Sequence, residues 1–154
     1  MKLDGLIMGL DDGLVTTLLT IMTVSSVVGA HLFYAMIGVV LAGAVSMALG
    51  GYAEAQTKLE YAKRLHQDVA IHPVKQGALT GSAFLLGGLV PLLPVALNLP
   101  DVLWWSYGCT ALVAFGFGLL KARYTDHHTL RSAVFFLAIV TLGTLIGYAI
   151  GLVV

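Results

Sequence analysis

Long apolar stretches separated by short polar segments dominate the sequence. Five of these stretches are long enough to cross a bilayer as helices, which takes about 20 residues each. They cover about residues 6–29, 33–55, 77–97, 102–120 and 130–153. The connections after the first and third stretches, GAHL and NLPD, are so short that each must join antiparallel neighbours. The pattern predicts an all-α integral membrane protein with five transmembrane helices, forming a single domain over residues 1–154.

The longest polar segment, residues 56–76, follows the second span and carries charges at helical spacing. This spacing predicts that the second helix projects out of the membrane into a cytoplasmic linker. Pro73 is expected to end that projection, because proline cannot continue a helix. Pro91 and Pro94 lie in the third span, where they predict a kink or break near its outer end.

Composition supports the membrane assignment and excludes several other classes. Hydrophobic residues make up 58% of the chain and charged residues 10%, whereas soluble domains carry about 25% charged residues. Eight Lys and Arg balance eight Asp and Glu, so there is no basic excess for nucleic-acid binding. The single cysteine, Cys109, excludes a disulfide framework or a Cys-based zinc site and is interpreted as a buried small residue.

All the Lys and Arg residues fall in segments that a five-helix topology places on one side. They are Lys2, Lys58, Lys63, Arg64, Lys75, Lys121, Arg123 and Arg131. Because cytoplasmic loops of membrane proteins carry an excess of basic residues, this side is predicted to be the cytoplasm. The N-terminus is then cytoplasmic and the C-terminus outside, as an odd number of spans requires.

Small residues recur every four positions on the fifth and second spans, which lets helix backbones approach closely. They are Gly143, Gly147 and Gly151 on the fifth span, and Gly38, Ala42, Ser46 and Gly50 on the second. The glycines of the fifth span are interpreted as helix-packing residues.

A polar stripe runs along the first span. Asp12, Thr16, Thr20 and Thr23 lie on one helical face, and Met8 extends that face by one turn. Carboxylates within a membrane are costly and therefore mark functional sites. Two alternatives remain: residues 1–10 could lie flat, with the aspartates at the interface, or one aspartate could cap a helix. Asp11 points roughly 100° away from Asp12 on a helix.

A second candidate face lies on the second span, where Gly43, Met47, Gly50 and Glu54 share one side. A soft thioether and a hard carboxylate together suit a borderline first-row metal ion better than magnesium or calcium. Glu54 lies near the cytoplasmic end, about 10 Å from Met47 along the helix. It could receive ions there or simply face water.

The remaining titratable residues give weaker signals. His31, His127 and His128 lie outside the centres of the spans, and so do His66 and His72 on the linker. The linker histidines could collect metal, but solvated surface residues are the simpler interpretation. No motif of a nucleophilic enzyme, a zinc hydrolase or a phosphate-binding loop is found. The sequence therefore gives no support for an enzyme.

Two segments resemble signature segments of the vacuolar iron transporter family. Residues 12–17, DGLVTT, resemble the D-G-hydrophobic-V-T-T segment of that family's first helix. Residues 43–52, GAVSMALGGY, are similar to its G-A-x-S-M-x-x-G-x-Y segment in the second helix. A G-x-x-P-x-x-P pattern at Gly88, Pro91 and Pro94 and a glycine-rich last helix fit less specifically.

The resemblance implies a function and a site. Members of this family exchange cytosolic Fe²⁺, and in some cases Mn²⁺, for protons, and they are homodimers with the pathway between the first two helices of each subunit. The family's aspartate falls on Asp12 and its methionine on Met47, the residues that the two polar faces already single out.

Three departures from the family pattern are visible. Val39 and Gly51 stand where many members have glutamates, and residues 56–76 replace the cytosolic metal-binding domain of eukaryotic members. The chain therefore has fewer hard ligands and fewer proton acceptors. Because the extra domain is lacking, a prokaryotic inner membrane is expected rather than an organelle.

The resulting hypothesis is a homodimeric transporter that exports Fe²⁺ or Mn²⁺ from the cytoplasm in exchange for protons, with no prosthetic group. Asp12 and Met47 of both subunits would bind the metal, with Glu54 and Asp11 as further candidate ligands. The pathway would be lined by Met8, Thr16, Thr20, Thr23, Gly43 and Gly50. The alternative is a membrane-embedded metal-binding or partner module that moves no metal itself.

Overall fold

The structure, a computed structural model, describes residues 2–125 and 129–153. Within these residues it is all-helical. The helices are α1 (Lys2–Val28), α2 (Leu32–Arg64), α3 (Pro73–Ala96), α4 (Val102–Thr125) and α5 (Thr129–Gly151), with a short 3-10 turn at Gly29–His31. Each of the five helices contains a stretch long and apolar enough to cross a membrane. The predicted fold class of five membrane-spanning helices is therefore confirmed.

The second helix continues well beyond its apolar stretch, as its charge spacing predicts, and ends at Arg64. Pro73 does not end it, contrary to expectation. His66 adopts a left-handed φ of 53°, and the amide of Gln67 donates to the carbonyl of Ala62 at 3.0 Å. This geometry is a Schellman-type helix stop. Pro73 instead begins α3, where a missing amide hydrogen costs nothing.

The third helix is the most buried of the five. It runs without a break through Pro91 and Pro94, so the two prolines do not interrupt the helix near its C-terminal end. Both prolines are buried, and the Ser106 hydroxyl of α4 donates to the Pro91 carbonyl at 2.9 Å. Contacts with α4 therefore support this part of α3, where proline has removed backbone donors.

Glycines let the backbone of α3 approach the backbones of α1 and α2 directly at several points. A Cβ added to Gly87 would lie 2.3 Å from the carbonyl oxygen of Leu10 on α1, and one added to Gly77 would lie 2.5 Å from that of Ala48 on α2. Neither distance is sterically possible for a real side chain. Backbone-to-backbone packing at these points thus contributes to holding the helix pairs together, as close approach does for helices in lipid.

Ordinary side-chain packing joins α1 to the other helices. Leu14, Leu18 and Met22 of α1 pack with Ala114 of α4 and Val140 of α5. A second cluster near the α1–α2 connection joins α1, α2 and α3. Helix α1 is therefore central, with α3 on one side and α4 and α5 on another.

Candidate functional site

Asp11 and Asp12 lie inside a continuous helix. Helix α1 begins at Lys2 and runs to Val28 without interruption, so neither aspartate caps a helix start, and no separate flat N-terminal helix precedes them. Asp12 lies within the part of α1 that is long and apolar enough to cross a membrane. The helix-cap alternative is therefore wrong, and no separate flat segment precedes the aspartates. The depth of Asp12 in the membrane stays a prediction.

The polar stripe of α1 is connected by hydrogen bonds at its N-terminal end. The Thr16 hydroxyl donates to Asp12 Oδ1 at 3.1 Å, and the Thr20 hydroxyl donates to the Thr16 carbonyl at 2.7 Å. Asp12 and Met8 are both exposed on the surface of the protomer. Thr16 thus orients a carboxylate that no other helix of the same chain covers.

The far end of the stripe faces α5. The Thr23 hydroxyl donates to the carbonyls of Leu19, at 2.9 Å, and Gly147, at 3.4 Å. A Cβ added to Gly147 or Gly151 would lie within 2.7 Å of an α1 carbonyl oxygen, whereas Gly143 makes only ordinary contact with Val15. The glycines of α5 therefore pack against α1, and Thr23 belongs to that contact in the protomer.

Asp11 has a different environment from Asp12. It is only partly exposed, and its Oδ1 is enclosed by protein. The two adjacent carboxylates thus point to different surroundings, as the helical rotation between them requires.

The candidate face of α2 is divided between α3 and open space. A Cβ added to Gly43 would lie 2.3 Å from the ring of Phe84, whereas one added to Gly50 would meet nothing within 4 Å. Met47, between them in sequence, is partly buried. Glu54 is exposed and forms an ion pair with Lys58 one turn further on.

Phe84 of α3 lies between the two candidate faces. Its carbonyl oxygen would be 2.3 Å from a Cβ on Gly13 of α1, and its ring occupies the space beside Gly43 of α2. Helices α1 and α2 are therefore separated by α3 beside Asp12. A metal ion bound by both Asp12 and Met47 of one chain would have to lie to the side of the Phe84 ring.

The linker histidines are on the protein surface. His66 and His72 are both exposed, and His66 forms part of the stop of α2. In the ranges 2–125 and 129–153, no three His, Cys, Asp or Glu side chains are grouped closely enough to hold a metal ion. His127 and His128 lie outside the described residues. A site built from one chain's carboxylates and histidines is thus not seen in this part of the chain.

The sequence interpretation missed the glycines that shape the centre of the protomer. Gly5, Gly9 and Gly13 on α1 all lie against α3, and their spacing of four residues was the available signal. Thr17 was missed as well. It is fully buried, its hydroxyl has no hydrogen-bond partner among the described residues, and it lies beside Gly88. No spacing rule singled it out from the stripe.

Comparison with known proteins identifies the family. The profile of the VIT family matches residues 3–71 and 62–152, which together span nearly the whole chain. A search of curated proteins gave no match. The matched family is one of membrane transporters for metal ions rather than enzymes. With five apolar helices and a match over both halves, the chain belongs to the VIT family, that of the vacuolar iron transporters.

Proposed function

We propose that the protein exports Fe²⁺ or Mn²⁺ from the cytoplasm in exchange for protons, with Asp12 as the central ligand. One observation carries this proposal: a carboxylate within the apolar part of α1 is exposed on the protomer and held by the Thr16 hydroxyl. A charged group facing lipid at this depth would cost several kcal/mol. A bound cation or a proton removes that cost.

The proposed transport unit is a homodimer whose axis brings the two Asp12 side chains together. The protomer leaves parts of the surfaces of α1 and α2 uncovered. The exposed residues there are Asp12 and Met8 on α1, and Gly38, Ser46 and Gly50 on α2. A second copy placed there would bury the carboxylates and let small residues pack closely. Asp12 and Met47 from both copies would then supply four ligands, and water would complete the metal shell.

The proposed exchange follows from the chemistry of these ligands. A carboxylate binds a metal ion only when it is deprotonated, so metal and proton compete for Asp12. A proton arriving from outside would neutralise Asp12 and weaken its hold on the metal. The Met47 thioether does not titrate in this range, and it would favour a borderline ion over magnesium or calcium.

Auxiliary roles are proposed for two further carboxylates. Glu54 is exposed at the end of the α2 apolar stretch, where it could attract cations from the cytoplasm, and its ion pair with Lys58 would open as the metal arrives. Asp11, partly buried behind Asp12 in the helix, would add negative potential without coordinating the ion. The N-terminus is cytoplasmic in this proposal because all basic residues share its side.

The experiment is metal uptake into proteoliposomes with an imposed pH gradient. The parent protein is expected to move Mn²⁺ or Fe²⁺ and to move protons in the opposite direction. Asp12→Asn, which keeps the shape but removes the charge, and Met47→Ala should each lower the uptake rate by about 100-fold or more, since even residues behind the ligands cost 10- to 100-fold in metal sites.

Two matched variants control for general damage. Asp68→Asn removes an exposed loop carboxylate, and Leu86→Ala truncates an exposed α3 side chain. Both should transport like the parent. Normal rates in both site variants would contradict the site assignment. Metal binding without flux would favour the partner-module alternative, and flux without proton movement would indicate a channel.

A further inference from the structure

A large cavity opens at the end of the protomer opposite the basic residues. Its volume is about 870 Å³, within the range of sites that hold small organic ligands. It lies where the C-terminal part of α1, the α3–α4 connection and the start of α4 meet α5. The nearest α1 residue that lines it, Met22, is about 15 Å along the helix from Asp12. The cavity is thus separate from the proposed transport site.

One carboxylate borders this cavity, that of Asp101. Asp101 directly precedes α4, the position at which an aspartate side chain usually caps the first helical amides from an extended backbone. Here its φ is 54°, and its carbonyl accepts hydrogen bonds from the amides of Trp104 and Trp105. Its carboxylate forms no hydrogen bond or ion pair with any described residue. The side chain is therefore withdrawn from capping and available to a ligand.

The rest of the lining is mostly apolar and aromatic, with no further charged side chain; its other polar residues are the neutral Ser25, Ser26, Asn98 and Thr144. Phe33, Trp104 and Tyr148 come from three different helices, and the hydroxyls of Tyr107 and Thr141 are bonded to each other at 3.1 Å. Every Lys and Arg of the chain lies in segments at the other end, so nothing in the lining favours an anion. No group of three His, Cys, Asp or Glu side chains that could hold a metal ion lies here or elsewhere among the described residues, and a single carboxylate does not make up the ligand set of a divalent metal.

We propose that this cavity binds an amphiphilic organic ammonium. The positive group would lie between the Asp101 carboxylate and the aromatic rings, which attract cations through their faces. The apolar walls would hold the attached hydrocarbon. Two sources have this chemistry: the ammonium headgroup of a membrane lipid, and a soluble organic amine. The inference depends on neither Asp12 nor the transported metal.

Binding is measured with benzyltrimethylammonium, a soluble probe that combines an aromatic group and a fixed positive charge. The protein is placed in vesicles of phosphatidylglycerol, which lack an ammonium headgroup. Because the chain has two tryptophans, a Trp105→Phe background leaves Trp104 as the only indole. The emission of Trp104 is expected to change saturably with the concentration of the probe. The uncharged isostere neopentylbenzene is expected to show an apparent affinity at least about fivefold lower.

Two variants test the location. Asp101→Asn keeps the size and the left-handed backbone preference of this position, and it should weaken probe binding about fivefold, the effect of one partly exposed charge pair. Ser25→Leu fills the cavity from α1 without changing any charge, and it should weaken binding at least about tenfold. Asp68→Asn, in the loop at the other end of the protein, should bind like the parent.

Several results would overturn the proposal. Equal affinity in the parent and Asp101→Asn would exclude the carboxylate, and normal binding by Ser25→Leu would place the probe elsewhere. Displacement of the probe by Mn²⁺ at matched concentration would make this a metal site instead. If Asp12→Asn loses metal flux but binds the probe normally, the cavity proposal stands. The cavity proposal can therefore fail or succeed separately from the transport proposal.

Two vesicle preparations with the same fraction of phosphatidylglycerol, and therefore the same surface charge, distinguish the two sources. The remaining lipid is phosphatidylethanolamine in one and neutral digalactosyldiacylglycerol in the other. A lipid ammonium headgroup already in the cavity would compete with the probe, so the apparent affinity of the probe should be lower in the phosphatidylethanolamine preparation. An unchanged affinity would assign the cavity to a soluble amine.

Discussion

Helix α2 carries some glycines that are packed against α3 and others that no part of the protomer covers. Gly43 and Gly51 lie against α3, where an added Cβ would come within 2.3 and 2.7 Å of neighbouring atoms. Gly38 and Gly50, which α3 does not cover, have nothing within 4 Å. Glycine inside a helix costs up to about 1 kcal/mol relative to alanine. Where the glycines pack against α3, close packing offsets that cost, whereas at the uncovered positions nothing in the protomer does.

The difference shows which part of the molecule is complete in one chain. In the α1–α3–α2 unit, the closely packed glycines have their neighbours in the same chain. This unit is therefore expected to fold without a second copy. The open face of α2 has small residues without a neighbour, and the open face of α1 has Asp12. A second copy of the chain would complete both faces, and substitutions can separate the two roles.

The largest effect is expected from a substitution in the closed packing. Gly87→Ala would place a Cβ 2.3 Å from the backbone oxygen of Leu10, so it should destabilise the fold by about 3 kcal/mol. Gly116→Ala, where a Cβ meets nothing within 4 Å, should instead stabilise the helix by up to about 1 kcal/mol. Thermal unfolding in detergent compares the two. Equal melting temperatures would show that the close packing of α3 against α1 is not real.

Substitution on the open face should break assembly without unfolding the chain. Gly50→Leu would fill a surface that is empty in the protomer, so its melting curve should stay near that of the parent. The proposed dimer should dissociate at a protein concentration about tenfold higher than in the parent, a change of about 1.4 kcal/mol. Light scattering after size-exclusion chromatography measures this. Gly108→Leu, at an equally open position on α4, is the control. A dimer that tolerates Gly50→Leu would mean that this face meets lipid.

A smaller effect is expected from the hydroxyl that holds Asp12. Thr16→Val removes the 3.1 Å hydrogen bond while keeping the volume, so metal affinity should fall about fivefold, equivalent to about 1 kcal/mol. Thr57→Val removes a hydroxyl that bonds only to its own helix, at Ala53, and should bind metal like the parent. Isothermal titration with Mn²⁺ tests the pair. No change in Thr16→Val would mean that Asp12 is oriented by other groups.

The smallest effect should come from the exposed ion pair on α2. Lys58→Met removes the partner of Glu54, but both side chains are half-exposed, so the free energy of unfolding should change by less than about 0.5 kcal/mol. Chemical denaturation measures it. A loss above 1 kcal/mol would show that the projecting end of α2 contacts more of the protein than these residues.

The helices could be predicted from the sequence because apolar length alone determines a membrane span. The predicted stretch 33–55 became Leu32–Arg64, because hydropathy detects only the apolar part of this helix and its charged C-terminal part continues the same helix. The orientation of Asp12 on α1 also followed from periodicity. The position of α3 between α1 and α2 could not be predicted, because it depends on which glycine ridges face each other. Phe84 beside Gly43 is a contact between distant segments, and no local pattern specifies it.

Backbone packed directly on backbone also limits movement. Side chains between helices can change rotamer and let the helices slide, but Gly87 against Leu10 and Gly77 against Ala48 have no such freedom. We therefore expect α1, α2 and α3 to move as one rigid body. Access would then alternate by displacement of α4 and α5, or of one copy against the other, rather than by separation of the two helices that carry Asp12 and Met47.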